Sequence, residues 1–197
     1  MRTFLTTVFT ALAVLTVATQ LNGADDQLKS GPADGEFIGG PFHYRNVNGA
    51  HADSPHCLVC EYGLEPVVAV FSRTLPDTGK PISKLMEKLD EATVKYAKAR
   101  LHVFGAFLSD DFVKEETRKE PLSRVQLLAN PLKAAVLTYG PVGGPEEWKL
   151  NKDAEVTVVL YFKHQVAANF SFAKDKLEEK DVDAIMAAVD KMVGAKK

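Results

Sequence analysis

Residues 66–109 read PVVAVFSRTLPDTGKPISKLMEKLDEATVKYAKARLHVFGAFLS. Two short apolar runs enclose a helical stripe. Val67 to Phe71 is continuous and rich in valine, the pattern of a strand covered on both faces, as in a parallel sheet. Thr78, Gly79 and Pro81 mark a helix start. Ile82, Leu85, Met86, Leu89 and Tyr96 then recur on one stripe, with Lys and Glu on the other side. The run 101–109, LHVFGAFLS, is a second strand. A strand, a helix and a second strand in this order imply a right-handed parallel crossover.

Downstream, residues 111–129 read as a second helical stretch, broken near Pro121 because proline removes a helical hydrogen bond. KAAVLTY (133–139) is a third strand, and 140–154 is a loop rich in Gly and Pro. EVTVVLYF and QVAANFSF flank a short Lys-His turn and read as an antiparallel hairpin. In its second arm Val166, Ala168, Phe170 and Phe172 alternate with Ala167, Asn169 and Ser171, so one face should be covered. Val182, Ile185, Met186, Val189 and Met192 form the stripe of a last helix. The expected fold is α/β, a mixed sheet flanked by helices on both faces.

Upstream, residues 25–56 are rich in Gly, Asp, Asn, His and Pro. They read as a flexible N-terminal arm that Phe37, Ile38, Phe42 and Tyr44 anchor to the domain. Residues 1–24 have the pattern of a secretory signal peptide. Arg2 supplies the positive start, FLTTVFTALAVLTVA (4–18) the apolar stretch, and Ala18 or Ala24 the cleavage point. The apolar stretch, about 15 residues, is short of the roughly 20 that span a bilayer. The mature protein is therefore expected to be secreted or periplasmic, with no membrane span left after cleavage.

Composition sets further bounds. The chain has 197 residues, 46% hydrophobic and 25% charged, so wholesale disorder is excluded. Its net charge of −2 gives no reason to expect a nucleic-acid partner. With two cysteines it is not a disulfide-dense miniprotein.

The chain resembles a thioredoxin-like domain over roughly residues 57–193, within a domain expected to span 57–197. PVVAVFSR followed by ISKLMEKLDEATVKYA is similar to the central strand and first long helix of that fold. EVTVVLYFKHQVAANFSF resembles its final hairpin, and DVDAIMAAVDKMV its last helix. The element around 133–150 resembles the insertions of peroxiredoxin-like relatives. CLVCEYGLEPVVAVFSR is similar to secreted bacterial thioredoxin-like proteins with a C-x-x-C just ahead of the first core strand. Two departures accompany the resemblance. The stretch where thioredoxins carry their cysteines is Ser72 to Pro81 here, and it holds none. The position of their cis-proline falls near Val156, ahead of Thr157. The peroxidatic P-x-x-x-T-x-x-C pattern is also absent.

Cys57 and Cys60 are the candidate catalytic residues. A nucleophilic thiolate needs a lowered pKa, commonly from a helix N-terminus or an adjacent cation. The pair is read as preceding a strand, so no helix dipole is expected. Glu61 opposes thiolate formation, while a protonated His56 favours it. The pair is placed at the N-terminal end of the first core strand, whereas α/β sites cluster outside the C-terminal strand ends. Three readings stand open. One is a disulfide that exchanges with thiols of a partner protein; either cysteine is a candidate to attack, and the thioredoxin-style order has Cys57 attacking and Cys60 resolving. Another is a structural bridge in a non-catalytic binding or scaffold module. A four-residue loop contributes only about 2 kcal/mol by chain entropy, against ~3 for fifteen residues. The third is a metal site in which His56, His51 or His43 joins the cysteines.

The remaining candidates have plainer readings. His102 and His164 are surface or hydrogen-bonded residues, and Asp110 and Asp111 cap a helix. Trp148 is a core anchor for its loop. Asn169 lies in a glycosylation sequon but inside a strand. No phosphate loop, G-x-S-x-G or H-E-x-x-H motif is present, and no cofactor is expected.

Overall fold

The computed structural model describes residues 28–194. Residues 1–24, where a signal peptide is expected, lie outside them, as do 25–27 and the last three residues. Strands are β1 (Tyr44–Asn46), β2 (Pro55–His56), β3 (Val67–Ser72), β4 (His102–Leu108), β5 (Val136–Gly140), β6 (Ala154–Phe162) and β7 (Gln165–Ala173). Helices are α1 (Leu58–Tyr62), α2 (Pro81–Lys95), α3 (Glu115–Ala129) and α4 (Glu179–Gly194). All seven strands form one mixed sheet in the order β2-β1-β5-β4-β3-β6-β7. β3, β4 and β5 are parallel, and β6 runs antiparallel to β3. No helix among the described residues is long and apolar enough to cross a membrane.

Period-two alternation divides each central strand between two cores. Val68 and Val70 of β3, Val103 of β4, Leu137 of β5 and Val158 of β6 face the long helices. α2, α3 and α4 cover them with Leu85, Met86, Leu89, Val125, Ile185 and Val189. Gly105 keeps α2 close, since a Cβ there would meet Leu137 Cδ2 and Met86 Cε at 3.1 Å. The opposite face carries Val67, Ala69, Phe71, Phe104, Val159 and Tyr161. Only α1 among the helices packs there, joined by Phe42 of the arm and Trp148 of the loop before β6.

The local signals expected for α2 are present. Pro81 takes its first position, and Ser83 Oγ donates to Asp77 O and accepts from Asp77 N. Lys163 and His164 both adopt positive φ at the hairpin, as a type I′ turn requires. A register irregularity between Leu160 and Tyr161 moves Val166 to the α1 face, while Ala168, Phe170 and Phe172 stay against the long helices.

The structure also departs from the sequence reading at α3, at the arm and after Cys57. α3 runs unbroken through Pro121, which lies in its second turn and leaves the Thr117 carbonyl without its helical partner. The arm supplies two strands of the sheet, and Asn48 extends its pairing by accepting from Leu137 N and donating to Ala135 O. The segment after Cys57 forms α1, not an extended approach to β3.

Candidate redox site

Cys57 is the N-cap of α1, and Leu58, Val59 and Tyr62 turn their side chains into the core. Gly63, at φ 54°, ends the helix, its N–H returning to Val59 O at 3.2 Å. That glycine was the legible signal for the helix, because a glycine after a short apolar run is a common helix stop. Cys57 and Cys60 are joined by a disulfide with Cα atoms 5.3 Å apart. The Cys60 backbone N–H donates to Cys57 Sγ at 3.1 Å, and Glu61 N–H donates to Cys57 O at 3.0 Å.

The two halves of the bridge have different surroundings. Cys57 is 5% exposed and belongs to the apolar cluster with Phe71, Phe104 and Trp148. Cys60 is exposed. Tyr62 stacks on His102, ring centroids 4.2 Å apart. On the outer side His56 Nε2 lies 2.7 Å from Glu61 Oε2, and the His51 and His56 rings stack at 3.7 Å.

The site lies elsewhere on the sheet than the sequence suggests. His56 pairs with Tyr44 and Arg45 pairs with Tyr139, so His56 is level with Gly140, the carboxyl end of β5. The disulfide therefore follows β2 at the level of the carboxyl end of β5, and α1 runs from there toward the amino end of β4, where Tyr62 meets His102. β2 is four strands from β3, roughly 19 Å at the usual inter-strand spacing. The stretch Ser72 to Pro81, where thioredoxins carry their cysteines, is held by hydrogen bonds within it and from α3. Ser72 Oγ donates to Thr74 O, and Arg124 Nε to Pro76 O. There is no cis peptide among the described residues. Val156 lies beside Ser72, and Thr157 Oγ1 is 2.6 Å from Ser30 Oγ.

Other sequence candidates have structural roles. Trp148 is fully buried and donates from Nε1 to Gly40 O at 3.0 Å. Asn169 Nδ2 donates to Ser30 O and Pro32 O, tying the arm to β7. Ser109 rather than Asp110 or Asp111 caps the turn after β4, accepting from Asp111 N. His164 sits in the hairpin turn and its carbonyl accepts from Ile38 N. His43 is not among the residues gathered beside the disulfide.

Burial raises three phenols around this face. Tyr62 and Tyr161 are pushed well above the usual tyrosine range, mainly by burial, with added repulsion from Glu61 and from Tyr62 respectively. Tyr44 is pushed up to about 12 by burial, partly offset by Arg73. The unfolded chain ionises these phenols near pH ~10, before the folded chain does. Their contribution to stability is thus whole below that pH and declines above it. Melting temperature is expected to be flat as pH approaches about 10 and to fall steeply beyond it. The phenolate absorbance of these three tyrosines should rise only with unfolding. Their titration near the ordinary tyrosine value in a still-folded protein would contradict this packing.

No protein-family model matches the chain, and no curated protein does. Solved structures share its fold. A candidate thiol:disulfide interchange protein DsbE from Chlorobium tepidum aligns with TM-score 0.55 and 15% identity, covering 85% of this chain and 99% of that one. A candidate protein disulfide isomerase from Bacteroides thetaiotaomicron aligns with TM-score 0.58 and 14% identity, covering 85% and 95%. A thiol peroxidase from Chromobacterium violaceum aligns with TM-score 0.54 and 10% identity, covering 84% and 90%. The fold is thioredoxin-like, with a C-x-x-C pair ahead of β3.

Proposed function

We propose that this thioredoxin-like chain is an extracytoplasmic thiol–disulfide exchange protein acting on partner proteins through Cys57 and Cys60. The observation that carries the reading is the asymmetry of the bridge, one half exposed and the other buried at a helix cap. A partner thiolate attacks Cys60 Sγ, the accessible side. The Cys57–Cys60 bond breaks, and Cys57 leaves as a thiolate that already accepts the Cys60 N–H. A leaving sulfur stabilised in this way departs faster. A second partner thiolate then attacks the partner sulfur of the mixed disulfide and releases Cys60. The partner gains a disulfide, and this chain holds two thiols and the two electrons. In reverse, Cys60 opens a partner disulfide and Cys57 resolves. This assigns first contact to Cys60, the opposite of the thioredoxin-style order.

The test uses three variants of the full chain. Cys57→Ser is expected to form a lasting mixed disulfide with glutathione disulfide. Cys60→Ser, whose remaining sulfur is buried, is expected to react at least about tenfold more slowly, since susceptibility follows thiolate character and exposure. The double serine variant should lose all acceleration of a model disulfide's reduction. Activity of the double variant equal to the parent's would end the proposal.

A second reading has one observation in its favour. Cys57 is packed in the core with α1, as a structural bridge in a non-catalytic scaffold would be. Such a bridge would resist reduction by glutathione.

A further inference from the structure

We propose that His51, His56 and Glu61 form a binding site for a divalent transition-metal ion of the zinc class, on the surface beside the disulfide. It is independent of the redox reading, because it uses neither sulfur. Each of the three residues offers one ligand atom, and these atoms all lie within 4.8 Å of one another. Zinc sits 2.0–2.2 Å from imidazole nitrogen and carboxylate oxygen, so at the tetrahedral angle paired ligand atoms come to about 3.4 Å. Closing the gap takes about 1.4 Å and turns the His51 ring out of its stack on His56, a rotation open to the exposed His51 and Glu61. His56 and Glu61 already meet at 2.7 Å, and the metal replaces the proton between them.

The backbone beneath these groups is fixed. His51 lies in a tight loop between β1 and β2, where its carbonyl accepts both Ser54 N and Ser54 Oγ. Asp53 N–H donates to Asn46 O, and the Arg45 guanidinium holds Asp53 O, closing the same loop. His56 belongs to β2, paired with Tyr44. Glu61 stands on α1, whose first turn is closed by the disulfide. Ligands on three tied segments lose little conformational freedom on binding.

The donor set selects the ion. Two imidazoles and one carboxylate suit zinc, copper(II) or nickel, whereas calcium takes six to eight oxygens. Three protein ligands leave a fourth position open to water, the arrangement of accessible zinc sites. With Cys57 and Cys60 bonded to each other, neither sulfur is available as a ligand, so the Cys/His site considered from sequence does not form in this state.

The experiment is a calorimetric titration of zinc chloride into the oxidised full chain at neutral pH, on a sample free of titratable thiol. One equivalent is expected to bind, and calcium chloride is expected to give no binding. His51→Ala and His56→Ala should each weaken zinc by at least the roughly tenfold that follows loss of a mere supporting partner of a ligand. His43→Ala should bind as the parent does. Affinity should fall as pH is lowered, because the imidazoles must be neutral to bind. Absence of zinc binding to the parent, or parent-like binding by a His51→Ala/His56→Ala double variant, would overturn the proposal. Either result leaves the exchange activity of the cysteines untouched, so the two readings fail separately.

Discussion

Trp148→Ala is expected to destabilise the fold by about 3–5 kcal/mol, the range for removing a fully buried aromatic side chain. The indole is the centre of the α1 face. Its ring lies 4.9 Å from Phe71, 5.9 Å from Phe42 and 6.2 Å from Tyr161, centroid to centroid. It ties the arm down through the bond to Gly40 O, and the arm passes so close that a Cβ on Gly39 would reach Trp148 Cδ1 at 2.5 Å. Truncation opens a cavity between arm, loop and sheet and leaves a carbonyl unpaired. Domains of this kind are stable by only about 5–15 kcal/mol, so the loss is a large fraction. Urea denaturation followed by far-ultraviolet circular dichroism measures it, because Trp148 is the only tryptophan and its fluorescence disappears with it. A cost below about 1 kcal/mol would show that the face closes without the indole.

Asp90→Ala is expected to cost about 3 kcal/mol or more, through unpaired amides instead of a cavity. Asp90 is on α2, 5% exposed, with its carboxylate turned into the start of the segment leading to β5. Oδ1 accepts Ala134 N and Ala135 N at 2.8 Å each, and Lys133 N lies 3.0 Å from both oxygens. Hydrogen bonds to a charged group contribute about 1.5–3 kcal/mol, and a buried amide left unpaired costs about 1–3. Ala135 is 1% exposed, so water cannot replace the lost acceptor there. Hydrogen exchange reads the effect by position. The amides of Lys133, Ala134 and Ala135 should be protected in the parent and exchange freely in the variant while those of β3 remain protected. Unchanged protection at all three would show that the loop is held by other contacts.

These two residues mark what sequence can and cannot convey. Long periodic segments were readable because their pattern repeats over many residues. Val67 to Phe71, the stripe of α2 and the β6–β7 hairpin all follow directly from spacing. Trp148 was readable as a loop anchor because a lone large aromatic among Gly and Pro needs somewhere to be buried. Asp90 was not, since a carboxylate on a helix looks solvated until the neighbouring chain supplies three amides. β1 and β2, of three and two residues, are too short to show period two, and the Asn48 side chain that extends the pairing with β5 gives no pattern in the sequence. α1, five residues long, is shorter than two helical turns and reveals itself only through Gly63.

The candidate site was legible in composition and not in placement. Cys57 and Cys60 stood out as the only cysteines. Their order of exposure follows from Leu58, Val59 and Tyr62 packing inward, which rotates Cys60 to the outside of α1. The gathering of His51, His56 and Glu61 arises from a loop and a strand pair that no local pattern announces.

The most direct test of the exchange reading is the reduction potential of the Cys57–Cys60 couple, measured by equilibration of the full chain with glutathione or dithiothreitol buffers. An exchanging pair is predicted to lie between about −120 and −270 mV, the span of known thiol–disulfide oxidoreductases. A value below about −300 mV, the range of structural bridges, would contradict it.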